Sequence, residues 1–504
     1  MTNVLELTLT GIAHCGEAIG RHDGKVIFVP FAIPGETVRV AITEQKANWA
    51  RARLLEVLTP SPDRVEPPCP FFGPPANPNV PGIEASAGLP QGSQVPNNRL
   101  KPPFQMSSAT TFGIPVGPQR CGGCQWQHIA YERQLELKQA IVVDQLARLG
   151  RLPAAPVAET WAVALTDEDD PAWRYRNHVQ FSITADGRPA YQQAASHDLI
   201  AVDECLLLSP ALDAVHAALW AGAAGDEPDA DEADQQPPTA ATAGYKGKVW
   251  TLGDAPRTAH PRGAGRGQPL RRISVRSSAA SGQTLVTLET DDDQAPELAL
   301  DLPVAVALLH RDGQAEALIG QAAIEEEVHG RRYRVSAGSF FQVNTAGAEA
   351  LVDLVLDFLD PQPSQRLLDA YAGVGLFALA LAPFCRQVDA IEAAPSACAD
   401  FAWNAADLPH VRLHEGDTAA VLASLSGPYA GIVLDPPRTG LGQAVITQLA
   451  RLAAPRLAYV SCDPATLARD AALLTQAGYR LRAVQPLDLF PQTYHVESVA
   501  LWER

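Results

Sequence analysis

The chain has 504 residues, which is too long for one ordinary core and predicts two to four domains. Hydrophobic residues make up 46% and charged residues 19%, the balance of a folded globular protein, and eight cysteines are too few for a disulfide scaffold. No apolar run reaches the roughly 18 residues of a membrane helix, and the first residues lack the order of a signal peptide, so we expect a cytoplasmic protein without a membrane partner.

The formal net charge of −18 argues against tight, nonspecific binding to nucleic acid, for which a basic surface is typical. Some of the acid lies in segments with the composition of an unfolded chain, such as residues 226–234. The net charge therefore says little about a specific contact made elsewhere in the chain.

Residues 1–60 have the pattern of a small all-β unit. Short apolar segments are separated by Gly, Asp and Pro at close spacing, at residues 4–9, 26–31, 37–43 and 49–58. Five strands in about 55 residues predict a compact, OB-like β-barrel, a fold that often binds oligonucleotides. A purely structural or dimerising barrel is an alternative of similar weight.

Residues 61–335 predict an α+β domain that two insertions interrupt. The insertions, near 74–117 and 222–267, are of low complexity and lack the periodic apolar pattern of a packed core. Between them, leucines and valines at helical spacing predict a helix from Tyr131 to a C-cap at Gly150.

Four cysteines of this central region form a candidate metal site. Cys121 and Cys124 have the C-x-x-C spacing and need two further ligands, for which Cys69 and Cys205 are available. Four thiolates suit either an iron–sulfur cluster or a structural zinc ion, and the long gaps match no standard zinc signature. The cysteines by themselves leave the metal open.

Residues 336–504 alternate apolar strands with helical segments, which predicts a doubly wound, Rossmann-like α/β sheet. The predicted strands are residues 366–369, 387–392, 411–414, 431–435 and 457–461. Because ligands bind such sheets at the carboxyl ends of the strands, the motifs found there supply the candidate functional residues.

A glycine-rich turn follows the first of these strands. Gly373 and Gly375 allow the backbone to approach a ligand closely, and Glu392, which ends the second strand, is placed to accept the two hydroxyls of a ribose. A lone Gly-x-Gly is a weak signal, because tight packing of a turn also favours glycine. Combined with the acidic residue, it favours an adenosyl ligand.

Two further motifs carry candidate reactive groups. Asp435 begins an Asp-Pro-Pro-Arg turn after the fourth strand, where the prolines expose unused carbonyl groups. Cys462 follows the fifth strand and directly precedes a helix predicted to begin with Asp463 as N-cap and Pro464 at the first position. The helix dipole should favour the thiolate of Cys462 and make it a nucleophile, whereas a buried, inert thiol is the alternative.

Near the C-terminus, His495 and Glu497 would share one face of a strand. If that face lines the cleft, Glu497 can serve as a general base. A charged residue on a solvent-facing edge strand is the alternative.

Together these residues resemble the iron–sulfur-containing RNA uracil-5-methyltransferases, which make 5-methyluridine in ribosomal and transfer RNA. Residues 1–60 resemble the RNA-binding TRAM domain of that family. Pro68–Gly73 and Cys121–His128 resemble its cluster motif, and Ser339–Asn344 resembles the entry to its methyltransferase domain, here residues 336–504. The resemblance covers nearly the whole chain apart from the two insertions.

The resemblance implies S-adenosylmethionine and a [4Fe–4S] cluster as cofactors. It implies four cofactor-binding residues, Gln342, Tyr371, Glu392 and Asp435, and four cluster ligands, Cys69, Cys121, Cys124 and Cys205. It also implies Cys462 as the nucleophile and Glu497 as the proton acceptor. The chain departs from the family in the long gap after Cys69 and in Leu376, which stands where a polar residue is usual.

The implied reaction explains why these residue types are required. Attack of the Cys462 thiolate on C6 of uracil makes C5 nucleophilic enough to take the methyl group, and Glu497 then removes the C5 proton so that the thiolate can leave. The base must first be flipped out of its stack. A barrel with a cluster domain favours 23S ribosomal RNA over transfer RNA as the substrate, and we expect a monomer without an obligate protein partner.

Several other functions would use part of these motifs. The same chemistry could act on a transfer RNA uridine. A base N-methyltransferase would use the Pro-Pro loop without needing Cys462. A cytosine-5 enzyme would carry a cysteine in the loop after the fourth strand, where this chain has Asp435-Pro-Pro. A non-catalytic, RNA-binding iron–sulfur protein would explain residues 1–210 only, and the full set of cofactor, nucleophile and base positions counts against it.

Overall fold

The computed structural model describes residues 4–74, 120–164, 170–184, 187–194, 196–224, 270–292, 294–296 and 302–504. Both predicted insertions, near 74–117 and 222–267, lie outside the described residues except at their edges. The chain forms two units, one of residues up to Ala130 with Gln192–Ile200, and one of Tyr131–Tyr191 with Ala201–Arg504. The predicted domain boundaries after residues 60 and 335 stay a prediction. No helix in these ranges is long and apolar enough to cross a membrane.

A closed five-stranded barrel lies in the first unit, as the spacing of the apolar segments predicted. Its strands are β1 (Val4–Ile12), β2 (Ala18–His22), β3 (Lys25–Val29), β4 (Thr37–Gln45) and β5 (Trp49–Thr59), in the order β1-β2-β3-β5-β4. Alternate residues point inward along each strand, so that Leu7 and Leu9 of β1 pack with Val38 and Val40 of β4. This interior is the core of the first unit.

A buried ion pair joins the barrel to the segment that follows it. The carboxylate of Glu36, which is fully buried, accepts hydrogen bonds from Arg64 Nε (2.6 Å) and Nη2 (2.7 Å). It also accepts from the backbone N–H groups of Ile33 (2.9 Å) and Ser61 (3.2 Å), while Arg64 donates to the carbonyl of Phe31 (3.1 Å). A buried charge is tolerated only while such partners remain.

The central part of the chain contributes a mainly antiparallel sheet with the order β13-β12-β11-β10-β7-β8. The apolar face of this sheet packs against helix α2. The elements of this part are α1 (Tyr131–Arg148), β6 (Trp161–Ala162), β7 (His178–Ile183), β8 (Pro189–Gln192), β9 (Leu199–Ala201), α2 (Pro210–Ala224), β10 (Leu270–Ser277), β11 (Thr284–Thr290), β12 (Ala305–Leu309), β13 (Ala315–Ile319), β14 (Ala323–Val328) and β15 (Arg331–Ser336). Helix α1 confirms the predicted helix and ends two residues before Gly150.

An eight-stranded sheet with the order β18-β17-β16-β19-β20-β22-β21-β6 forms the largest layer of the second unit. Two apolar cores cover its opposite faces. Its further elements are α3 (Thr345–Leu359), β16 (Arg366–Ala370), α4 (Leu376–Leu381), β17 (Gln387–Glu392), α5 (Pro395–Asn404), β18 (Val411–Glu415), α6 (Thr418–Ser424), β19 (Gly431–Leu434), α7 (Gly442–Leu452), β20 (Arg456–Ser461), α8 (Pro464–Gln476), β21 (Arg480–Asp488) and β22 (Glu497–Glu503), with a 3-10 turn at Ala382–Phe384.

The doubly wound prediction for this part of the chain is confirmed, and each of the five predicted strands agrees with the structure to within one residue at either end. Strands β18, β17, β16, β19 and β20 are parallel, with helices on both faces. The sequence did not reveal that β22 enters the sheet between β20 and β21, antiparallel to both.

The Glu36–Arg64 pair predicts a large effect on the barrel. Replacing Arg64 by Leu leaves the carboxylate of Glu36 buried and uncompensated, so the free energy of opening the barrel should fall by about 3–5 kcal/mol. Hydrogen exchange of the amides in β1–β5, measured in the full chain, reports that change. The matched control is Arg39→Leu, since the ion pairs of Arg39 with Glu6 and Glu56 are exposed. Equal exchange rates in the two variants would contradict the prediction.

Candidate active site

Four of the predicted site residues lie at one edge of the eight-stranded sheet. Tyr371 follows β16, Glu392 ends β17, Asp435 follows β19 and Cys462 follows β20. Because these four strands are parallel, their carboxyl ends meet at the same edge. Residues that are far apart in the sequence are thereby brought to one place.

Hydrogen bonds hold the glycine-rich turn against the carboxylate of Glu392. Oε2 of its carboxylate accepts a hydrogen bond from the N–H of Gly373 (2.8 Å), and Oε1 accepts from the N–H groups of Ala393 and Ala394 (both 2.7 Å). Gly373 has φ +56°, and a Cβ built there would meet nothing within 4 Å, so open space lies above the turn. The predicted ribose acceptor therefore also holds the loop in place.

Tyr371 adopts an uncommon backbone conformation at the start of this turn. Its φ is +77°, in the left-handed region that few residues other than glycine occupy. The N–H groups of Tyr371 and Ala372 both donate to the carbonyl of Ile391, at 3.0 and 2.9 Å, which holds the backbone there. Backbone strain of this kind clusters at ligand-binding sites.

Asp369 is a functional candidate to which the sequence analysis assigned no role. The residue is fully buried on β16, and its Oδ2 accepts from the N–H of Ala378 (2.8 Å), whereas Oδ1 has no hydrogen-bonding partner among the described residues. Burial, and then the negative charges of Asp435 and Glu392, raise the pKa of Asp369 to about 8. Its position directly before the glycine-rich turn was the available signal.

Cys462 lies between β20 and α8, and the cap of that helix is as predicted. Asp463 is the N-cap, and its Oδ1 accepts from the N–H of Thr466 at 2.7 Å. Burial and the negative charge of Glu497 raise the pKa of Cys462 to about 11, so they outweigh the expected preference of the helix dipole for the thiolate. The positive charge of Arg438 acts in the opposite direction on this pKa.

Glu497 is the first residue of β22, beside the end of β20. The antiparallel register pairs Ser461 with Ser498, so the next opposed positions are Cys462 and Glu497. Glu497 is only 3% exposed, and burial, followed by the charge of Asp435, raises its pKa well above the usual range of a glutamate. Loss of water around the carboxyl group likewise raises the pKa of Asp435 to about 7.

His495 does not share a strand face with Glu497, because β22 begins at Glu497. Its ring lies against those of Tyr494 (4.4 Å between centroids) and Phe490 (6.0 Å). Burial, and then the positive charge of Arg438, lower the pKa of His495 to about 4. The imidazole is therefore neutral at physiological pH.

Gln342 lies in the loop between β15 and α3 and is buried. Its carbonyl accepts a hydrogen bond from Asn177 Nδ2 (3.2 Å). Asn344, two residues on, caps α3 by accepting from the N–H of Gly347 (3.2 Å), and its Nδ2 donates to the carbonyl of Leu489 (3.5 Å). This loop is thereby tied to the segment that leads to Glu497.

The cysteines predicted as metal ligands lie in both units. In the first unit, the segments of Cys69 and Cys121 are joined: the N–H of Cys121 donates to the carbonyl of Phe71 (3.0 Å), and the N–H of Gly123 donates to Cys121 Sγ (3.3 Å). Cys205 belongs to the second unit, as Cys124 belongs to the first. Within the described ranges, no group of three or more His, Cys, Asp or Glu side chains is arranged to hold a metal ion.

The parallel strands, the inserted antiparallel β22 and the glycine-rich turn define a methyltransferase fold, and comparisons with known proteins agree. The chain is similar over 99% of its length to RNA methyltransferases of Streptomyces avermitilis (31% identical, 98% of that protein covered) and Streptomyces coelicolor (32%, 92%). The family model described as TRAM domain matches residues 3–55, and the one described as tRNA (Uracil-5-)-methyltransferase matches residues 290–413 and 424–504.

The chain belongs to this family of TRAM-bearing RNA uracil-5-methyltransferases, and it is an RNA methyltransferase. Among solved structures, it resembles the Pyrococcus abyssi tRNA (uracil-54, C5)-methyltransferase, solved with S-adenosyl-L-homocysteine, with a TM-score of 0.65. That likeness covers 99% of this chain and 100% of the other at 21% identity, and it shows a shared fold.

The raised pKa of Cys462 predicts slow alkylation at neutral pH. Only the thiolate reacts, so the rate of carbamidomethylation of Cys462 should rise about tenfold per pH unit between roughly pH 7 and 9.5, without a plateau. Peptide mass spectrometry measures this rate. Arg438→Ala should slow it at each pH, since loss of the positive charge raises the pKa of the thiol further. Arg480→Ala, at the other end of β21, should leave the rate unchanged. A plateau near pH 8 would show that the pKa is not raised.

Proposed function

We propose that the protein transfers a methyl group from S-adenosylmethionine to C5 of a uridine in RNA, through a covalent bond between Cys462 Sγ and C6 of the uracil. The observation that carries this proposal is the pairing of Ser461 in β20 with Ser498 in β22. Cys462 directly follows the first of these residues and Glu497 directly precedes the second, so the two side chains begin beside each other. A thiol facing a carboxyl group supplies the nucleophile and the proton acceptor that C5 methylation needs. An N-methyltransferase needs no such pair.

The carboxyl-rich edge of the sheet suits a positively charged cofactor. Asp369, Glu392 and Asp435 lie close enough that the charges of the last two raise the pKa of the first. A sulfonium ion placed at this edge would offset their mutual repulsion. We assign the adenosyl end of the cofactor to Glu392 and Tyr371, beside the open space above Gly373, and its methyl-bearing end to Asp435 and Gln342.

The protons of the site follow a defined order in this proposal. Burial favours the protonated forms of both Cys462 and Glu497, so the thiol is held unreactive, and Arg438 contributes the positive charge that lowers the pKa of both groups. When cofactor and RNA bind, the thiol and the carboxyl group release their protons to solvent. Attack of the thiolate then forms the S–C6 bond and an enolate at C5, and C5 takes the methyl group from the sulfonium, which leaves as S-adenosylhomocysteine. The carboxylate of Glu497 accepts the C5 proton, the S–C6 bond breaks, and the thiolate leaves.

For the substrate we propose a uridine of 23S ribosomal RNA, bound with the help of the TRAM barrel. A transfer RNA uridine is the second candidate, favoured by the names of the family model and of the solved relative. Purified protein offered unmodified ribosomal and transfer RNA in parallel, followed by nucleoside mass spectrometry, separates the two. 5-Methyluridine in transfer RNA alone would overturn the ribosomal assignment. A monomeric, cytoplasmic protein also stays a prediction.

Two variants should separate the proposed steps. Cys462→Ala should bind S-adenosylmethionine but transfer no methyl group, because no thiolate activates C5. Glu497→Gln should methylate once and then accumulate a covalent protein–RNA adduct, since loss of a general base slows its own step by roughly 10²–10⁴-fold. A denaturing gel with a labelled methyl group detects the adduct.

The outcomes test the two residues independently. Methylation of C5 by Cys462→Ala would overturn the covalent mechanism. Loss of turnover in Glu497→Gln without any labelled adduct would remove Glu497 from the role of proton acceptor. Ser396→Ala serves as a control, because its hydroxyl binds the carbonyl of Gly338 and takes no part in the proposal.

For the four cysteines we propose a structural [4Fe–4S] cluster that takes no part in methyl transfer. The C-x-x-C pair supports this, as does the hydrogen bonding that joins the segment of Cys69 to Cys121 across the intervening insertion. A [4Fe–4S] cluster is held by cysteine thiolates, so all four cysteines would have to come together around the metal.

Anaerobically purified protein should therefore carry iron and sulfide, measured by elemental and sulfide analysis. Cys124→Ser should lose most of the iron, because three ligands leave a corner of the cluster open to solvent. Cys15→Ser, in the same unit, should retain it. Stoichiometric zinc without iron in the wild type would refute the cluster.

A further inference from the structure

Helix α1 places a fully buried ammonium group against the loop that precedes Glu497. Lys138 is 0% exposed, and its Nζ donates hydrogen bonds to Asp488 Oδ1 and to the carbonyl of Phe490 (3.1 Å). Asp488, the last residue of β21, is also fully buried, and its Oδ1 accepts from the N–H of Phe490 (3.1 Å). One side chain of α1 thus binds both the end of β21 and the start of the loop 489–496.

A second contact lies one helical turn earlier on α1. Gln134 Nε2 donates to Gln492 Oε1 (3.0 Å), and the N–H of Gln492 donates to Gln134 Oε1 (3.0 Å). Gln492 has φ +67°, a conformation that a residue other than glycine keeps only when its surroundings hold it. Gln134 and Lys138 therefore fix the loop at two points, i and i+4 on one face of α1.

The loop is confined on its other side as well. Helix α3 approaches it so closely that a Cβ on Gly347 would lie 2.4 Å from the side chain of Leu489. The register of β21 and β22 pairs Leu487 with Glu497, so Asp488 lies immediately after the residue opposite the proposed base and directly before the loop. A shift of this loop would move Glu497 relative to Cys462.

We infer that Lys138 is a positioning residue for the removal of the C5 proton, and that Gln134 shares this role. An apolar pair in place of two buried charges would stabilise the fold as well or better, so stability alone does not account for Lys138 and Asp488. The ammonium group of Lys138 instead supplies hydrogen bonds to the last residue of β21 and to the start of the loop 489–496. This inference rests on the proposed function, because it assigns to α1 the orientation of Glu497.

The test compares two rates in one preparation, namely formation of the labelled covalent adduct and release of methylated RNA from it. In Lys138→Met and in Gln134→Leu, adduct formation should stay close to the wild-type rate, because Cys462 and the cofactor residues lie on other elements. Release should slow by about 10- to 100-fold, since small displacements of a reacting group have effects of that size. Binding of S-adenosylmethionine, measured by calorimetry, should not change.

The matched control is Arg366→Met, which removes another ion pair of the same sheet, partly buried, at the amino end of β16. Arg366 Nε donates to Asp389 Oδ2 at 2.6 Å, and Asp389 is 1% exposed. A merely structural role predicts the same ratio of the two rates in all three variants, and that result would overturn the inference.

Gln134→Leu keeps the inference testable if Lys138→Met fails to fold, because it leaves no uncompensated charge. An unchanged ratio in Gln134→Leu would then decide against the positioning role. Wild-type protein that forms neither adduct nor 5-methyluridine would instead show that the proposed function itself is wrong, so the two failures are distinguishable.

Discussion

The antiparallel pairing of β22 with β20 is the constraint on which the site depends. Side chains alternate along a strand, so a slip of one residue would turn Glu497 away from Cys462 and onto the opposite face of the sheet. The register is held by the burial of Val499 in one core and Trp502 in the other, both inaccessible to solvent. Slipping the strand would move each of these side chains into the opposite core, whose packing it does not match, and for this reason hydrophobic packing in the sheet fixes the placement of two polar groups.

Burial has a second consequence, which is electrostatic. It raises the pKa of Asp369, Asp435 and Glu497 and of the Cys462 thiol, so each group is held closer to its neutral form than in water. A helix N-terminus favours an adjacent anion, but its effect is confined to the first turn and is outweighed here by desolvation and by nearby carboxylates. Perturbed acids gathered at the ligand-binding edge of an α/β sheet are typical of a functional site rather than of a structural one.

The sequence predicted those features that depend on local patterns. The five parallel strands appear in the sequence as short apolar runs because both of their faces are buried. The cap of α8 appears as Asp463 followed by Pro464, because capping depends on adjacent residues. No local pattern shows where β22 lies in the sheet or where it begins. The sequence therefore placed His495 on the same strand as Glu497, although the strand begins at Glu497. The ion pair of Lys138 with Asp488 could not be predicted from local sequence patterns either, because 350 positions separate the two residues.

The methyltransferase sheet is completed by residues that lie more than 300 positions before their partners in β21. Strand β6 pairs with the end of β21, with Trp161 opposite Leu487 and Ala162 opposite Asp488, and α1 supplies the counterion of Asp488. Without these elements, β21 would be an unprotected edge strand and Asp488 a buried charge without its ammonium partner. The central region therefore does more than connect the barrel to the catalytic sheet, because it supplies the outermost strand of that sheet and the contacts that hold the turn before Glu497.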